Sequence, residues 1–165
     1  MGLDHFLYEV PKIHKGVIYR SDDEIAAEVA PEDQVFKNDW NDPFPHDGDY
    51  YHKPGVREMC RWRKFNALHS WMVTHVQGGV DECEPHIVPK SKIEGLHSIL
   101  WQVREAGPGR PDVAREILPT QAGFFFGSID YDQWYYEDVK RGVDELELAM
   151  REQRPDTDLV YRSSW

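Results

Sequence analysis

Segments rich in aromatic and β-branched residues stand near both ends of the chain, at 3–10 and 158–165. Such residues favour β-strands, because their side chains pack well on a pleated sheet. Between these segments, apolar residues recur at helical spacing over 57–77, 91–106 and 130–153. We therefore predict a single α+β domain of 165 residues, in which about three main helices pack on a small mixed or antiparallel sheet that includes the N- and C-terminal strands.

The remaining segments are shorter or irregular. Residues 16–20 and 117–127 resemble further strands, and 85–89 resembles a short extended piece. Residues 21–55 form an acidic insertion rich in Pro and Gly, which we expect to be a long loop with at most a short helix over 21–30. Loops of this length in a compact domain are usually functional or disordered.

The predicted helix ends follow from residues that cap helices. Ser91 and Glu94 make a capping box at the start of the second helix, and Asp130 is the expected N-cap of the third. Gly78 and Gly79 end the first helix.

Charge is unevenly distributed along the chain. The net charge is −11, and residues 1–55 hold 12 acidic against 5 basic residues. Residues 57–77 reverse this balance, with four basic residues and one acidic residue. The acidic total disfavours general nucleic-acid binding, which depends on neutralising phosphates. The basic segment either marks a local binding face or is balanced by an acidic neighbour in the fold.

Neither a membrane span nor a disulfide framework is expected. No apolar run approaches the roughly 20 residues of a membrane-spanning helix. The first residues lack the basic and apolar stretches of a secretory signal. Cys60 and Cys83 are too few for a disulfide framework. We therefore expect a protein of a reducing cytoplasm.

Polar residues interrupt the apolar arc of the helix predicted over 57–77. His69 lies near the middle of that arc and Asn66 at its margin, and the arc consists of Trp62, Phe65, Met72, Val73 and Val76. His69 is either a ligand or acid–base group at the floor of a pocket, or a core histidine bonded to a backbone carbonyl. A neighbouring stripe is either an anion clamp or a solvated face, and it consists of Arg57, Arg61 and Lys64.

The segment 75–86 contains the best candidates for metal ligands. Cys83 and His86 have C-x-x-H spacing, and His75 and Asp81 lie close in sequence. A zinc site needs three or four such ligands, and no second Cys/His pair follows at zinc-finger spacing. We therefore predict no metal site. Cys83 is either a structural thiol, which we favour, or a nucleophile with a histidine base.

A run of three phenylalanines between glycines, at 123–127, precedes the third helix. A strand, a glycine turn and a helix N-terminus can together hold a phosphate. Here Asp130 and Asp132 already occupy the positive end of the helix dipole and would repel an anion. The two carboxylates are explained by capping without any ligand.

Six short motifs lie in the first residues and along most of 56–165. They are MGLD at 1–4, WRKxNxLHxW at 62–71, VQxGVDxC at 76–83, LPTQxGFFFGS at 118–128, YDxWY at 131–135 and SSW at 163–165. As a set they resemble a family of uncharacterised proteins encoded by bacteriophages and prophages. The resemblance implies a phage origin and a host cytoplasm, but no established reaction. Residues 20–55 fall outside the pattern.

These observations leave three hypotheses about function. The first is a phage accessory protein for host takeover or counter-defence, which binds a host protein or a small polar ligand. Its candidate pocket is lined by Trp62, Arg63, Asn66, His69, Asp81, Gln121, Tyr131 and Trp134. The second is a small enzyme acting on a phosphorylated or nucleotide-like substrate, with His69, Arg63 and Asp81 as candidate catalytic residues. The third is an acidic DNA mimic. No cofactor follows from the sequence.

Geometry separates the first two hypotheses. Convergence of His69, Asp81 and Arg63 in a cleft would favour the enzyme. A His69 that is sealed in the core and bonded to the backbone would disfavour it.

Overall fold

The computed structural model describes residues 2–11, 56–81 and 83–165. Its elements in chain order are β1 (Asp4–Pro11), β2 (Arg57–Arg63), α1 (Asn66–His75), β3 (His86–Val88), α2 (Lys90–Ala106), α3 (Pro111–Ile117), α4 (Gln133–Glu152) and β4 (Thr157–Ser164). The predicted α+β class is confirmed. The predictions for 16–20, for 21–30 and for the rest of the 21–55 insertion lie outside the described residues.

The four strands form one antiparallel sheet in the order β2-β1-β4-β3. The strands predicted at the two ends of the chain are confirmed, and they are its central pair. They align from Asp4 opposite Ser164 to Pro11 opposite Thr157. β2 pairs with the other edge of β1, where Asp4 lies opposite Arg63. One end of the sheet therefore brings together the start of β1 and the ends of β2 and β4.

One face of the sheet packs on the helices, and the other carries a smaller buried cluster beside exposed arginines. Alternate residues such as Leu7, Trp62 and Tyr161 join the main core with the helices. Phe6, Tyr8 and Val160 belong to a separate, smaller apolar cluster. In the main core, α2 and α4 approach closely at Gly142, where an added Cβ would lie 3.2 Å from Leu100.

The first helix begins nine residues later than its apolar periodicity predicts, at Asn66. Residues Arg57–Arg63 form β2 instead, with Cys60 and Trp62 buried and Arg61 and Arg63 exposed between and after them. Trp62 stands three residues before Phe65 and seven before His69, so it extends the apolar face of α1 at helical spacing, which explains the error. The predicted arc through Trp62 and the helical stripe of Arg57, Arg61 and Lys64 are therefore wrong.

The strand predicted over 117–127 is also wrong. Pro111 opens the short helix α3, which ends at Ile117, and an irregular segment follows up to α4. Glycine-rich sequence beside bulky aromatic residues resembles a buried strand. In the described structure this segment is not a strand of the sheet, and side-chain hydrogen bonds from Asn66 hold its backbone.

The helices predicted over 91–106 and 130–153 are confirmed as α2 and α4, with different caps. Asp132 and not Asp130 caps α4, because its carboxylate accepts from the Tyr135 N–H at 3.1 Å. Pro89 and not Ser91 precedes α2, with no capping hydrogen bond from a side chain.

Candidate functional site

A chain of side-chain hydrogen bonds runs from the surface into the core at the end of the sheet where β1 begins. Tyr161 Oη lies 2.6 Å from His69 Nδ1 and 3.2 Å from His5 Nδ1. His69 Nε2 lies 3.1 Å from each carboxylate oxygen of Asp81. The Trp165 indole donates to the same carboxylate at 3.2 Å. Hereafter the polar chain means Trp165, Asp81, His69, Tyr161 and His5.

Burial fixes the protonation of the polar chain. It lowers the pKa of His69 more than the neighbouring Asp81 raises it. It also lowers the pKa of His5 strongly, with smaller contributions from His69 and Arg141. Burial raises the pKa of the Tyr161 phenol well above its ordinary value. Both histidines and the tyrosine are therefore neutral at pH 7.

Neutral side chains allow one consistent assignment of donors and acceptors. His69 Nε2–H donates to the Asp81 carboxylate, which leaves Nδ1 to accept from Tyr161. The tyrosine oxygen then accepts from His5 Nδ1–H, and His5 Nε2 is left as a bare acceptor. Every donor in this series therefore points in the same direction, so that His5 donates to Tyr161, Tyr161 to His69 and His69 to Asp81.

This geometry falls between the two predicted arrangements of His69. Its side chain is fully buried, as expected for a core histidine, but its partners are side chains and not backbone carbonyls. Asp81 converges with His69, whereas Arg63 does not join them and instead lies 3.7 Å from Asp4. Since both ring nitrogens of His69 are occupied, neither is available to take a proton from a substrate.

Asn66 fixes the irregular segment that precedes α4. Its side-chain amide donates to the carbonyls of Phe126 and Ser128 at 3.0 and 2.8 Å, and its oxygen accepts from the Gln121 N–H at 3.0 Å. All the hydrogen-bonding groups of this buried side chain are thereby used on one stretch of backbone. Asn66 is therefore a clamp for residues 121–128, and Gln121 takes part through its backbone.

Phe126 links this clamped backbone to the polar chain. Its ring meets the His69 ring edge-on, with centroids 5.1 Å apart, and lies 6.5 Å from Trp165. The Leu3 N–H donates to the Phe125 carbonyl at 3.0 Å, which ties the same segment to the start of β1. The Phe126 ring thus covers one side of the polar chain.

The other predicted ligand-binding residues are divided between the core and the surface. Trp62 is buried beside His5, with ring centroids 5.4 Å apart. Tyr131 packs against Tyr135 and lies under the Arg115 guanidinium. Trp134 is 71% exposed. None of the contacts found for Tyr131 or Trp134 in the described part of the chain reaches His69.

The clamped segment and the start of α4 expose large apolar side chains. Phe124 is 94% exposed, and Ile129 and Trp134 are more than half exposed. The Phe124 ring meets the Phe125 ring edge-on, with ring centroids 4.8 Å apart. The Phe125 ring therefore supports the exposed Phe124 ring. We call these three exposed residues, the aromatic Phe124 and Trp134 together with Ile129, the aromatic rim.

The predicted metal candidates have other partners. Within 2–11, 56–81 and 83–165, no three His, Cys, Asp or Glu residues are placed to hold an ion. His86 bonds the Glu84 carbonyl, His75 stacks on Trp71, and the Cys83 carbonyl accepts from Arg162.

Four residues of this site were not predicted from the sequence, namely His5, Tyr161, Phe126 and Trp165. Two of them left a readable signal, because His5 and Tyr161 occupy strand positions that alternate with Phe6 and Val160 and therefore face the main core. A polar side chain at an inward strand position requires a partner. No such signal exists for Trp165.

Comparison with known proteins finds no match among protein families, curated proteins or solved structures. Among the described residues, no helix is both long enough and apolar enough to cross a membrane.

Proposed function

We propose that this chain is a phage-encoded accessory protein of the host cytoplasm that binds a host protein through the aromatic rim. The observation that carries the proposal is Phe124, a large apolar side chain that is almost fully exposed on a clamped backbone. Large aromatic side chains are among the residues that most often anchor protein interfaces. Host takeover and counter-defence are the roles that such binding would serve.

The rigidity of the clamped segment supports binding by the aromatic rim. Three hydrogen bonds from Asn66 and one from Leu3 hold residues 121–128 in place before any partner arrives. A preorganised aromatic side chain loses little conformational entropy when it enters a partner pocket. Trp is also among the residues most often found at the energetic centre of interfaces. Trp134 adds such a residue to the rim.

The enzyme hypothesis gains less support from the same geometry. His69 is sealed and has both nitrogens occupied, and Arg63 is engaged with Asp4. A general base must reach the proton that it removes. His69 therefore serves better as a structural link than as a catalytic group.

The DNA-mimic hypothesis requires carboxylates arrayed like phosphates on one face. On α4, Asp138 and Glu145 lie within 4.0 Å of the same arginine, Arg141, and are partly neutralised by it. Much of the acidic excess falls in residues 12–55, outside the described residues. The aromatic rim is therefore the stronger basis for a function.

Removal of the exposed ring tests the proposal. We expect Phe124→Ser to weaken binding to a purified host partner by about 30-fold, because a central aromatic contact is worth about 2 kcal/mol. Leu148→Ser is the matched control, since Leu148 is an exposed apolar residue on α4 outside the rim. Titration calorimetry on both variants, with thermal melting to verify folding, gives the comparison. Equal losses for the two variants would contradict the proposal.

A further inference from the structure

The side chain of Lys64 lies between two glycines beside the aromatic rim. An added Cβ on Gly127 would stand 3.2 Å from Lys64 Cβ, and one on Gly2 would stand 3.3 Å from Lys64 Cε. Gly127 lies in the chain between Phe124 and Ile129, which are two members of the rim. The stem of Lys64 therefore packs on the segment that carries the rim.

The backbone of Lys64 fixes the direction of this side chain. Its φ is 58°, in the left-handed region that residues other than glycine rarely adopt. The Lys64 N–H donates to the Leu3 carbonyl at 2.7 Å, and the Lys64 carbonyl accepts from the Asn66 N–H at 2.9 Å. These two hydrogen bonds hold the turn between β2 and α1, so the stem rests on Gly127 before any partner binds.

The exposed ammonium of Lys64 has no anion of its own. Among the described residues, no carboxylate forms an ion pair with it. The neighbouring Arg63, by contrast, lies 3.7 Å from Asp4. Asp130, the first acidic residue beyond the clamped segment, accepts instead from the Ser128 hydroxyl at 3.3 Å. An unpaired positive charge therefore stands beside the apolar side chains of the rim.

A cation in this position restricts the chemistry of a partner. A lysine normally loses much side-chain entropy when an interface fixes it, and packing on Gly2 and Gly127 has already reduced that loss. Opposite charges across an interface speed association and fix the orientation of the two proteins. Because the net charge of the whole chain is −11, a local cation also selects where a partner carboxylate can approach.

We propose that the host protein bound by the aromatic rim is acidic at its contact with this chain. An Asp or Glu side chain of that protein pairs with Lys64, beside an apolar pocket that takes the Phe124 ring. This inference rests on the proposed function, because it names the chemistry of the same partner. The carboxylate orients the partner and speeds its association, whereas the apolar contact supplies most of the affinity.

Charge reversal at Lys64 tests the pairing on the host protein that a photo-crosslinker at position 124 captures. We expect Lys64→Glu to slow association with that protein about tenfold at low salt, because charges at the edge of an interface act mainly on the association rate. The difference should disappear near 1 M salt, where the screening length is about 3 Å.

Two further variants are the controls for this measurement. Lys140→Glu makes the same change of charge at an exposed position of α4 and should associate at close to the wild-type rate. Lys64→Arg keeps the positive charge and should do the same. Thermal melting of all three variants verifies that they fold.

A carbodiimide tests the pairing in the unmodified chain, because it couples a lysine amine to a carboxylate that is in contact with it. Mass spectrometry of the coupled complex should identify an amide between Lys64 and an Asp or Glu of the same host protein, and no such amide at Lys140.

The outcomes separate this inference from the proposed function. Equal slowing by Lys64→Glu and Lys140→Glu, faster association of Lys64→Glu, or no amide at Lys64 would overturn the acidic partner and leave the aromatic rim as the binding surface. Capture of no host protein at position 124, or capture of a nucleic acid there, would overturn the proposed function and this inference with it.

Discussion

At the residue scale, the buried carboxylate of Glu9 anchors the end of the sheet opposite to the polar chain. Its side chain has no exposed surface and lies 3.0 Å from Arg57 Nε and 2.9 Å from Arg154 Nε. The Arg154 backbone N–H and the Thr157 hydroxyl also donate to it. Burial alone would raise the pKa of Glu9, but these hydrogen bonds outweigh burial and lower it below 4.5.

We expect Glu9→Gln to lower the free energy of unfolding at pH 7 by about 1–3 kcal/mol, because the buried position loses its charged hydrogen bonds to two half-exposed arginines. A carboxyl group with a lowered pKa in the folded state stabilises the protein above its unfolded pKa, and this contribution is lost as the pH falls through the folded pKa. The difference between wild type and Glu9→Gln should therefore shrink below pH 4.5. Urea denaturation across this range measures it, with the exposed Glu147→Gln as control; a difference that is constant with pH would contradict the assignment.

The substitution Tyr161→Phe tests whether the polar chain contributes to the stability of the fold. Tyr161→Phe keeps the ring but removes the hydroxyl that bridges His69 and His5. Two buried imidazoles then each lose a partner, so we expect the free energy of unfolding to fall by about 1–3 kcal/mol. Denaturant unfolding gives the value. Unchanged stability together with a lost biological effect would instead indicate a functional site at His69.

At the element scale, the segment between α3 and α4 is an irregular element in which the Asn66 side chain makes three of the hydrogen bonds that hold the backbone. Asn66→Asp keeps the acceptor for Gln121 but replaces the amide donor with an oxygen that faces two carbonyls. We expect the segment to loosen around Phe126 and Ser128, at a cost of about 1–3 kcal/mol. Hydrogen exchange should accelerate at the Leu3 amide, which bonds the Phe125 carbonyl, while the α2 amides stay protected. Uniform acceleration in both places would mean that Asn66 supports the whole fold and not this segment.

Local pattern decides which elements the sequence predicts well. Strands β1 and β4 and helices α2 and α4 follow from branched residues and from long apolar periods. β2 is hidden because Trp62, one of its inward residues, also stands at helical spacing before Phe65 and so suits a helix face that continues into α1. The loop after α3 is hidden because its hydrogen bonds come from Asn66, more than 50 residues earlier in the chain.

At the scale of the whole molecule, the candidate site was predictable in part. Two pairs of motif residues are in contact, His69 with Asp81 and Asn66 with the backbone of Gln121. Their roles depend on His5 and Tyr161, which approach only when β1 and β4 align. Arg63 was expected in the same pocket but points to Asp4, because a strand and not a helix carries it. Tertiary pairing, which no single segment encodes, therefore decided the site.

A photo-crosslinker placed at position 124 tests the proposal that the aromatic rim contacts a host protein. The same crosslinker at position 148 on α4 provides an exposed apolar control. After irradiation in host cells, we expect one host protein to be crosslinked at position 124 and not at position 148. The same host protein should bind the purified chain, and the substitution Phe124→Ser should weaken that binding. No crosslink at 124, or the same products at both positions, would contradict it.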